Sequence, residues 1–284
     1  MAKKKTVLDL VKMKEKKDQV AWVTAYDFPM ASFAEQAGMD MILVGDSLGM
    51  IVLGLDGTNP VTMEDCISHC KAVRRGAPNT MVIGDMPFGS YQVSVPDAVF
   101  NACRFLKEAQ VDAVKLEGGI RVKDKIRAIA DAGIAVMGHI GLTPQSSGQL
   151  GGFKAQGRTV QSAQAVIEDA LAVEEAGAFS ILVEAVPPEV TAFLCERLSI
   201  PVYSIGAGPA HGQLLICGDM LGLFQAFTPK FVKRYANVAE VEKQAFKNYI
   251  QDVKTGAFPE DEHVYHVIEP MDGFQKLFDR YKKV

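Results

Sequence analysis

Glu174-Glu-Ala-Gly-Ala-Phe-Ser-Ile-Leu-Val-Glu184 is the stretch from which the rest of the chain can be read. A helix end runs into a glycine, whose missing Cβ permits the left-handed backbone that stops a helix. A short, nearly continuous apolar run follows, as expected of a parallel strand buried on both faces. The run ends on a charged residue. Three other stretches repeat the pattern: Glu35-Gln-Ala-Gly-Met-Asp-Met-Ile-Leu-Val-Gly-Asp46, Glu108-Ala-Gln-Val-Asp-Ala-Val-Lys-Leu-Glu-Gly118 and Asp131-Ala-Gly-Ile-Ala-Val-Met-Gly-His139. Only the segment starting at Glu108 stops its helix without a glycine.

Less regular apolar runs at 20–25, 81–84, 201–205 and 214–217 bring the expected strands to eight. Amphipathic stretches at 63–74, 96–109, 122–132, 160–176 and 189–198 alternate with them. This order predicts an α/β fold, a closed parallel (β/α)8 TIM barrel. The competitor is an open doubly wound sheet, which normally carries a Gly-rich dinucleotide turn after its first strand. Ala25-Tyr-Asp-Phe-Pro29 is nothing like one. A single domain over 1–284 is expected, with a short N-terminal helix at about 6–17 and a C-terminal helical extension at about 231–284.

Composition narrows the function classes. The chain has 284 residues, 48% apolar and 23% charged, as an ordinary globular protein does. A net charge of −4 offers no attraction to nucleic acid or to an anionic membrane. Lys3, Lys4 and Lys5 open the chain without the apolar core of a secretory signal, and Lys12, Lys14, Lys16 and Lys17 read as the wet face of the first helix. No later segment stays apolar for the roughly 18 residues of a membrane span. Five cysteines, an odd number, fit a reducing cytoplasm better than a disulfide framework. Cys66, His69 and Cys70 share a helix face, but no second Cys/His cluster completes a zinc site.

In such barrels the C-terminal strand ends line the active site. Here they carry Asp27, Asp46 with Ser47, Asp85, Lys115 with Glu117, His139, Glu184 and Gly206. Any one acid could be a helix N-cap. Together, so many carboxylates at one mouth would repel unless protons or a cation neutralised them. With no cysteine and a single histidine on the ring, a hard ion is favoured, Mg²⁺ by default. Alternation turns Lys115 and Glu117 to the same side, into the mouth, where a lysine suits an anionic substrate. Gly206-Ala-Gly208 reads equally as a phosphate grip or a tight turn. The Gly/Gln-rich stretch from Gly141 to Thr159 is too long for a routine connector and reads as a lid or binding loop, with disorder the plainer alternative.

Several motifs carry a specific resemblance: Thr24-Ala-Tyr-Asp27, Val44-Gly-Asp-Ser-Leu-Gly-Met50, Pro60-Val-Thr62, Asp85-Met-Pro-Phe88, Val114-Lys-Leu-Glu-Gly-Gly119, Gly138-His-Ile-Gly-Leu-Thr-Pro-Gln145, Gln156-Gly-Arg-Thr159 and Phe231-Val-Lys-Arg-Tyr235. Collinear from about residue 6 to 265, they resemble the ketopantoate hydroxymethyltransferase (3-methyl-2-oxobutanoate hydroxymethyltransferase) family, within the phosphoenolpyruvate/pyruvate barrel group. The resemblance implies transfer of a hydroxymethyl group from 5,10-methylenetetrahydrofolate to 3-methyl-2-oxobutanoate through a metal-stabilised enolate, giving 2-dehydropantoate for pantothenate and coenzyme A. It implies that Asp46 and Asp85 hold the metal, with Glu117 next to it. Ser47, Lys115 and His139, with Asp46 and Asp85, would hold the oxo acid, and Glu184 would be the general base. It also implies a homo-oligomer, a decamer.

The chain departs from that pattern at Pro209-Ala-His-Gly-Gln213, where the family usually has Asp-Gly-Gln. Ala210 and His211 there put the details of the folate pocket in question. Two rivals remain at this level. A metal-dependent lyase or mutase of the isocitrate lyase or phosphoenolpyruvate mutase kind usually carries a reactive cysteine on a mobile loop, and no cysteine lies on the loops expected at the mouth. A non-catalytic oxo-acid-binding barrel would have lost its base, yet Glu184 is present.

Overall fold

The computed structural model describes residues 4–282; Lys3, one of the N-terminal lysines, lies outside them. Eight strands form a closed barrel in which each is parallel to the next: β1 (Val20–Thr24), β2 (Met41–Val44), β3 (Met81–Asp85), β4 (Ala113–Glu117), β5 (Val136–Gly141), β6 (Ser180–Glu184), β7 (Val202–Ile205) and β8 (Gly212–Leu215), which pairs back with β1. The repeated segments behave as their sequence requires. Gly38, Gly133 and Gly177 follow helices at φ 84°, 85° and 92°. In the segment without a glycine, Gln110 takes the left-handed position at φ 55°.

Helices Phe28–Gln36, Met63–Gly76, Val95–Ala109, Lys123–Asp131, Val160–Glu175 and Pro188–Arg197 connect the strands. Thr62 and Thr159 open two of them as N-caps. Their inner faces and the outward residues of the strands form one buried cluster containing Val82, Phe105, Val114, Ile126, Val173 and Leu194. Inward residues form a second cluster, with Trp22, Met41, Met81, Met137 and Tyr203 filling the barrel's interior. The N-terminal helix, Val7–Lys16, belongs to that interior: Leu10 is fully buried within it. Burying one leucine contributes about 1.5–3 kcal/mol. The helix's lysines are more than a wet face, because Lys14 Nζ reaches the carbonyls of Ser199 at 2.8 Å and Ile200 at 3.2 Å. Lys4 and Lys5 pair with Asp112 and Asp40.

The end of the barrel departs from expectation. Strand β8 begins two residues earlier than the apolar run at 214–217 suggests, and no helix separates β7 from β8. The return is made by residues 206–211, with Gly206 and Gly208 at φ 65° and 81°; a Cβ on either would meet Phe231 or Pro188 at 2.5 Å. So tight a turn needs no helix and starts the strand sooner. A short helix, Cys217–Met220, follows β8, and the next helix begins only at Val238.

The chain divides after Ala236 into two compact units. The second contains helices Val238–Thr255 and Met271–Tyr281. No helix among the described residues is long and apolar enough to cross a membrane.

Candidate active site

At the C-terminal ends of the strands a cavity of ≈ 840 Å³ opens, with Asp46, Asp85, Lys115, Glu117, His139 and Glu184 among its lining residues. Ser47 and Gly206 also line it. All five members of the inner set, Asp46, Asp85, Lys115, Glu117 and His139, are at most 4% exposed. Barrel register brings them together: Asp85 pairs with Lys115 across β3 and β4, and Glu117 with His139 across β4 and β5.

Lys115 sits at the centre. Its Nζ lies 2.8 Å from Asp85 Oδ1, 3.8 Å from Glu117 Oε1 and 3.2 Å from His139 Nδ1. Burial works to lower the lysine's pKa, but the adjoining carboxylates of Asp85 and Glu117 outweigh it and keep the ammonium charged. The acids respond in the opposite sense. Burial raises Asp46 and Asp85 to about 6 and Glu117 to about 7, against the charge of Lys115. Burial first, and then the lysine's charge, lower His139 and keep it neutral. With an ammonium facing Nδ1, the tautomer that fits carries its proton on Nε2, 3.1 Å from Glu184 Oε2. Glu184 stands higher in the mouth, with its side chain 14% exposed.

Two neighbours that sequence reasoning gave no role fix these acids. Gln145 donates from Nε2 to Asp46 Oδ2 at 2.9 Å and from its backbone N–H to Glu117 Oε2 at 2.9 Å. Tyr91 donates to Gln145 Oε1 at 2.6 Å, and its hydroxyl accepts from the Glu117 backbone N–H at 3.1 Å. Gln145 stands at the end of a quoted motif and in the long loop, which was the only signal available. That loop is ordered into a 3-10 turn, Pro144–Ser146, and a short helix, Ser147–Leu150. It borders the cavity through Leu142, Pro144, Phe153 and Arg158. Ser47 Oγ lies 2.8 Å from the Tyr26 hydroxyl.

Two expectations change. Asp27 is an exposed N-cap that accepts from the Met30 N–H at 2.8 Å, outside the acidic set, so for this acid the capping reading is right. His211 is not among the residues that line the cavity. Its backbone carbonyl accepts from Val20 N and its Nδ1 from Val202 N at 3.0 Å, which places it where β1 and β7 start, at the opposite end of the barrel. The unusual Ala210-His211 therefore bears on the closed end and leaves the cavity unaffected. Cys66 and Cys70 are buried, and His69 Nδ1 is engaged by the Tyr26 carbonyl. The group spaced for a metal by mutual distance among the described residues is the exposed Glu260, Glu262 and His263.

The buried set suits a hard cation all the same. Asp46 and Asp85 are adjacent, since the Asp46 N–H donates to Asp85 Oδ2 at 2.9 Å. Asp85 Oδ1 is buried against the Lys115 ammonium at 2.8 Å, and the buried Glu117 Oε1 faces Lys115 Nζ at 3.8 Å and His139 Nδ1 at 3.4 Å, leaving it without a close donor among the described residues. Mg²⁺ is commonly held by one or two carboxylates, with substrate oxygens and water completing the set.

Comparison with known proteins shows the family. A family model described as ketopantoate hydroxymethyltransferase matches residues 4–261. A 3-methyl-2-oxobutanoate hydroxymethyltransferase of Alkaliphilus metalliredigens (strain QYMF) is 74% identical over 282 residues, 99% of this chain and 100% of that one. The Bacillus subtilis (strain 168) protein of the same name is 53% identical, over 93% of this chain and 95% of its own. Among solved structures, a phosphoenolpyruvate phosphomutase from Streptomyces platensis subsp. rosaceus superposes with TM-score 0.60 at 17% identity, covering 98% and 99%. A phosphonopyruvate hydrolase in complex with oxalate and Mg²⁺ gives 0.59 at 14%, covering 97% of each chain. At that identity these two share the fold. Site geometry, family match and close relatives together place the chain in the ketopantoate hydroxymethyltransferase family, as an enzyme of the hydroxymethyltransferase type.

Proposed function

We propose that the enzyme transfers a hydroxymethyl group from 5,10-methylenetetrahydrofolate to 3-methyl-2-oxobutanoate, giving 2-dehydropantoate for pantothenate and coenzyme A synthesis. The observation that carries this reading is Lys115 buried with Asp85, Glu117 and His139 beside Asp46, with His139 reaching on to Glu184. Asp46 and Asp85 would hold a divalent metal, Mg²⁺ by the hardness of its ligands, with Glu117 beside it. Such an ion would supply a Lewis acid beside the bound oxo acid, favouring loss of its C3 proton.

The chain's own groups account for the rest. Glu184 accepts the C3 proton, leaving an enolate whose carbon bonds to the one-carbon unit. The two C–N bonds of that unit are replaced by this C–C bond and by a C–O bond to water. The C3 proton and one water proton go to the two freed nitrogens of tetrahydrofolate. Lys115 offsets the surplus of negative charge and steadies the oxyanion, while Ser47 and neutral His139 position the oxo acid. Gln145 keeps the acids from swinging towards one another. Nor does the cavity favour lyase or mutase chemistry through a cysteine, because none lines it among the described residues.

The same reading includes self-association, a decamer by family resemblance. Helix Val238–Thr255 buries only Ala239, while Phe246, Tyr249, Ile250 and Val253 are exposed. Apolar surface of that extent is usually covered by a partner, here further copies of the chain. Light scattering on the purified protein tests this: a monomer at micromolar concentration would oppose it. Five free cysteines suit a cytoplasmic setting. The reaction itself is tested by following 2-dehydropantoate from the two substrates. C3 proton exchange on the oxo acid with no 2-dehydropantoate formed from the folate would leave the donor to be replaced.

A further inference from the structure

The acidic cluster is supplied by β2 to β6 and the residues just after them. The chain that follows β8 lines the cavity with Ile216, Phe224, Phe227 and Phe231, and supplies one further acid, Asp219. The two phenylalanines Phe224 and Phe227 meet edge to face with centroids 5.3 Å apart. Asp219 belongs to the short helix Cys217–Met220 that follows β8 and is 5% exposed. Its carboxylate takes no hydrogen bond and no salt bridge among the described residues. The charge that acts on it is that of Arg234, itself exposed and donating to Thr228 Oγ1. Leaving a buried polar group without a partner is costly, so one facing a ligand cavity is expected to find its partner in the ligand.

Which ligand follows from sign and shape. A carboxylate only accepts hydrogen bonds, and it pairs best with two N–H groups side by side. The oxo acid is an anion and would be repelled. The donor's glutamyl tail is also anionic and suits the exposed cations that line the cavity, Arg158 and Lys230. What remains is the pterin, a flat aromatic ring whose 2-amino and N3–H groups form an adjacent donor pair. Aromatic side chains beside Asp219 suit such a ring. The cavity has room for it, since ≈ 840 Å³ falls within the roughly 300–1,000 Å³ of pockets that take ligands far larger than an oxo acid.

We propose that Asp219 recognises the pterin of the folate donor, its two carboxylate oxygens accepting the N3–H and 2-amino hydrogens, with the ring against Phe224 and Phe227 and the glutamyl tail directed to Arg158 and Lys230. This rests on the proposed use of a folate donor. No amide can accept both hydrogens, so Asp219→Asn faces an N–H with an N–H.

The test is a titration of the full-length enzyme with tetrahydrofolate and with its 2-desamino-2-methyl analogue, beside a Asp219→Asn variant treated identically. Wild type should bind the analogue about 10–100-fold more weakly than tetrahydrofolate, as the loss of charge-assisted hydrogen bonds predicts. Asp219→Asn should bind the two within about threefold, both weakly. Deuterium exchange of the oxo acid, which needs no folate, reports whether the floor of the site is intact in the variant. Equal discrimination by both proteins overturns the proposal, as does loss of exchange in step with folate binding, which would mark Asp219 as a structural support. Should the variant fail to fold, the wild-type ratio decides: a ratio near one overturns the assignment. Exchange on the oxo acid without any tetrahydrofolate binding by wild type overturns the donor reading itself, and is distinguishable because that ligand never binds.

Discussion

At the N-terminal end of the barrel the interior holds Val20, Trp22, Met41, Met81 and Tyr203, with Leu10 packed among them. Towards the C-terminal ends of the strands, β3 to β6 supply Asp85, Lys115, Glu117, His139 and Glu184. The side chains at both ends are largely buried, yet at one end burial gains free energy and at the other it comes at a cost. Ionised groups taken out of water cost several kcal/mol each unless paired. Lys115 offsets part of that cost, and protonation of the acids, whose pKa values rise to about 6 or 7, offsets more. Alternation along a strand decides which side chains point inward, and position along the strand decides whether they stabilise the fold or act.

If that division is right, substitutions at the two ends should separate cleanly. The largest effect is expected at Glu184. Glu184→Gln should slow proton exchange at C3 of the oxo acid by about 10²–10⁴-fold, the usual contribution of a positioned base, while oxo-acid binding by titration changes little. Unchanged exchange would remove Glu184 from that role. Next, Leu10→Ala should destabilise folding by about 2–5 kcal/mol, as other large-to-small core changes do, seen as a lower urea midpoint. Turnover well below the unfolding transition should stay at the wild-type value; a matching fall in turnover would show that the two ends are coupled.

Asp85→Asn should then weaken metal-dependent oxo-acid binding by at least about tenfold, with an unaltered metal titration refuting that ligand assignment. The smallest effect concerns pH. A carboxyl must be ionised to hold a cation, so protonation competes with the metal below the raised pKa of about 6 at Asp46 and Asp85. Metal-dependent binding should be full above pH 7 and decline from about pH 6 downward. A flat response from pH 7 to 5 would mean that the metal sits elsewhere.

Much of this was legible in the chain because repetition and alternation are strong signals. Four near-identical helix-to-strand segments defined the barrel, and Val114-Lys-Leu-Glu117 placed Lys115 and Glu117 on one face, as found. Other parts were hidden for physical reasons. Gln145 and Tyr91 are uncharged and act from loops, so nothing in their spacing shows that they hold Asp46 and Glu117. Asp27 has the same place in its segment as the reactive acids, and only its bond to the Met30 N–H shows that it caps a helix. The helix-free return from β7 to β8 breaks the expected rhythm. Without that rhythm His211 could not be assigned to the closed end from sequence, nor could Asp219, two residues into its short helix, be placed on the cavity wall.

The central claim is that the buried charges at the mouth exist to take a proton from C3 of an oxo acid. NMR of 3-methyl-2-oxobutanoate in D₂O with the protein, with and without Mg²⁺ and before any folate is added, tests it most directly. Loss of the C3 proton signal that depends on both protein and metal is the predicted result. Folded protein with saturating Mg²⁺ and a C3 proton that persists as in buffer alone would contradict it.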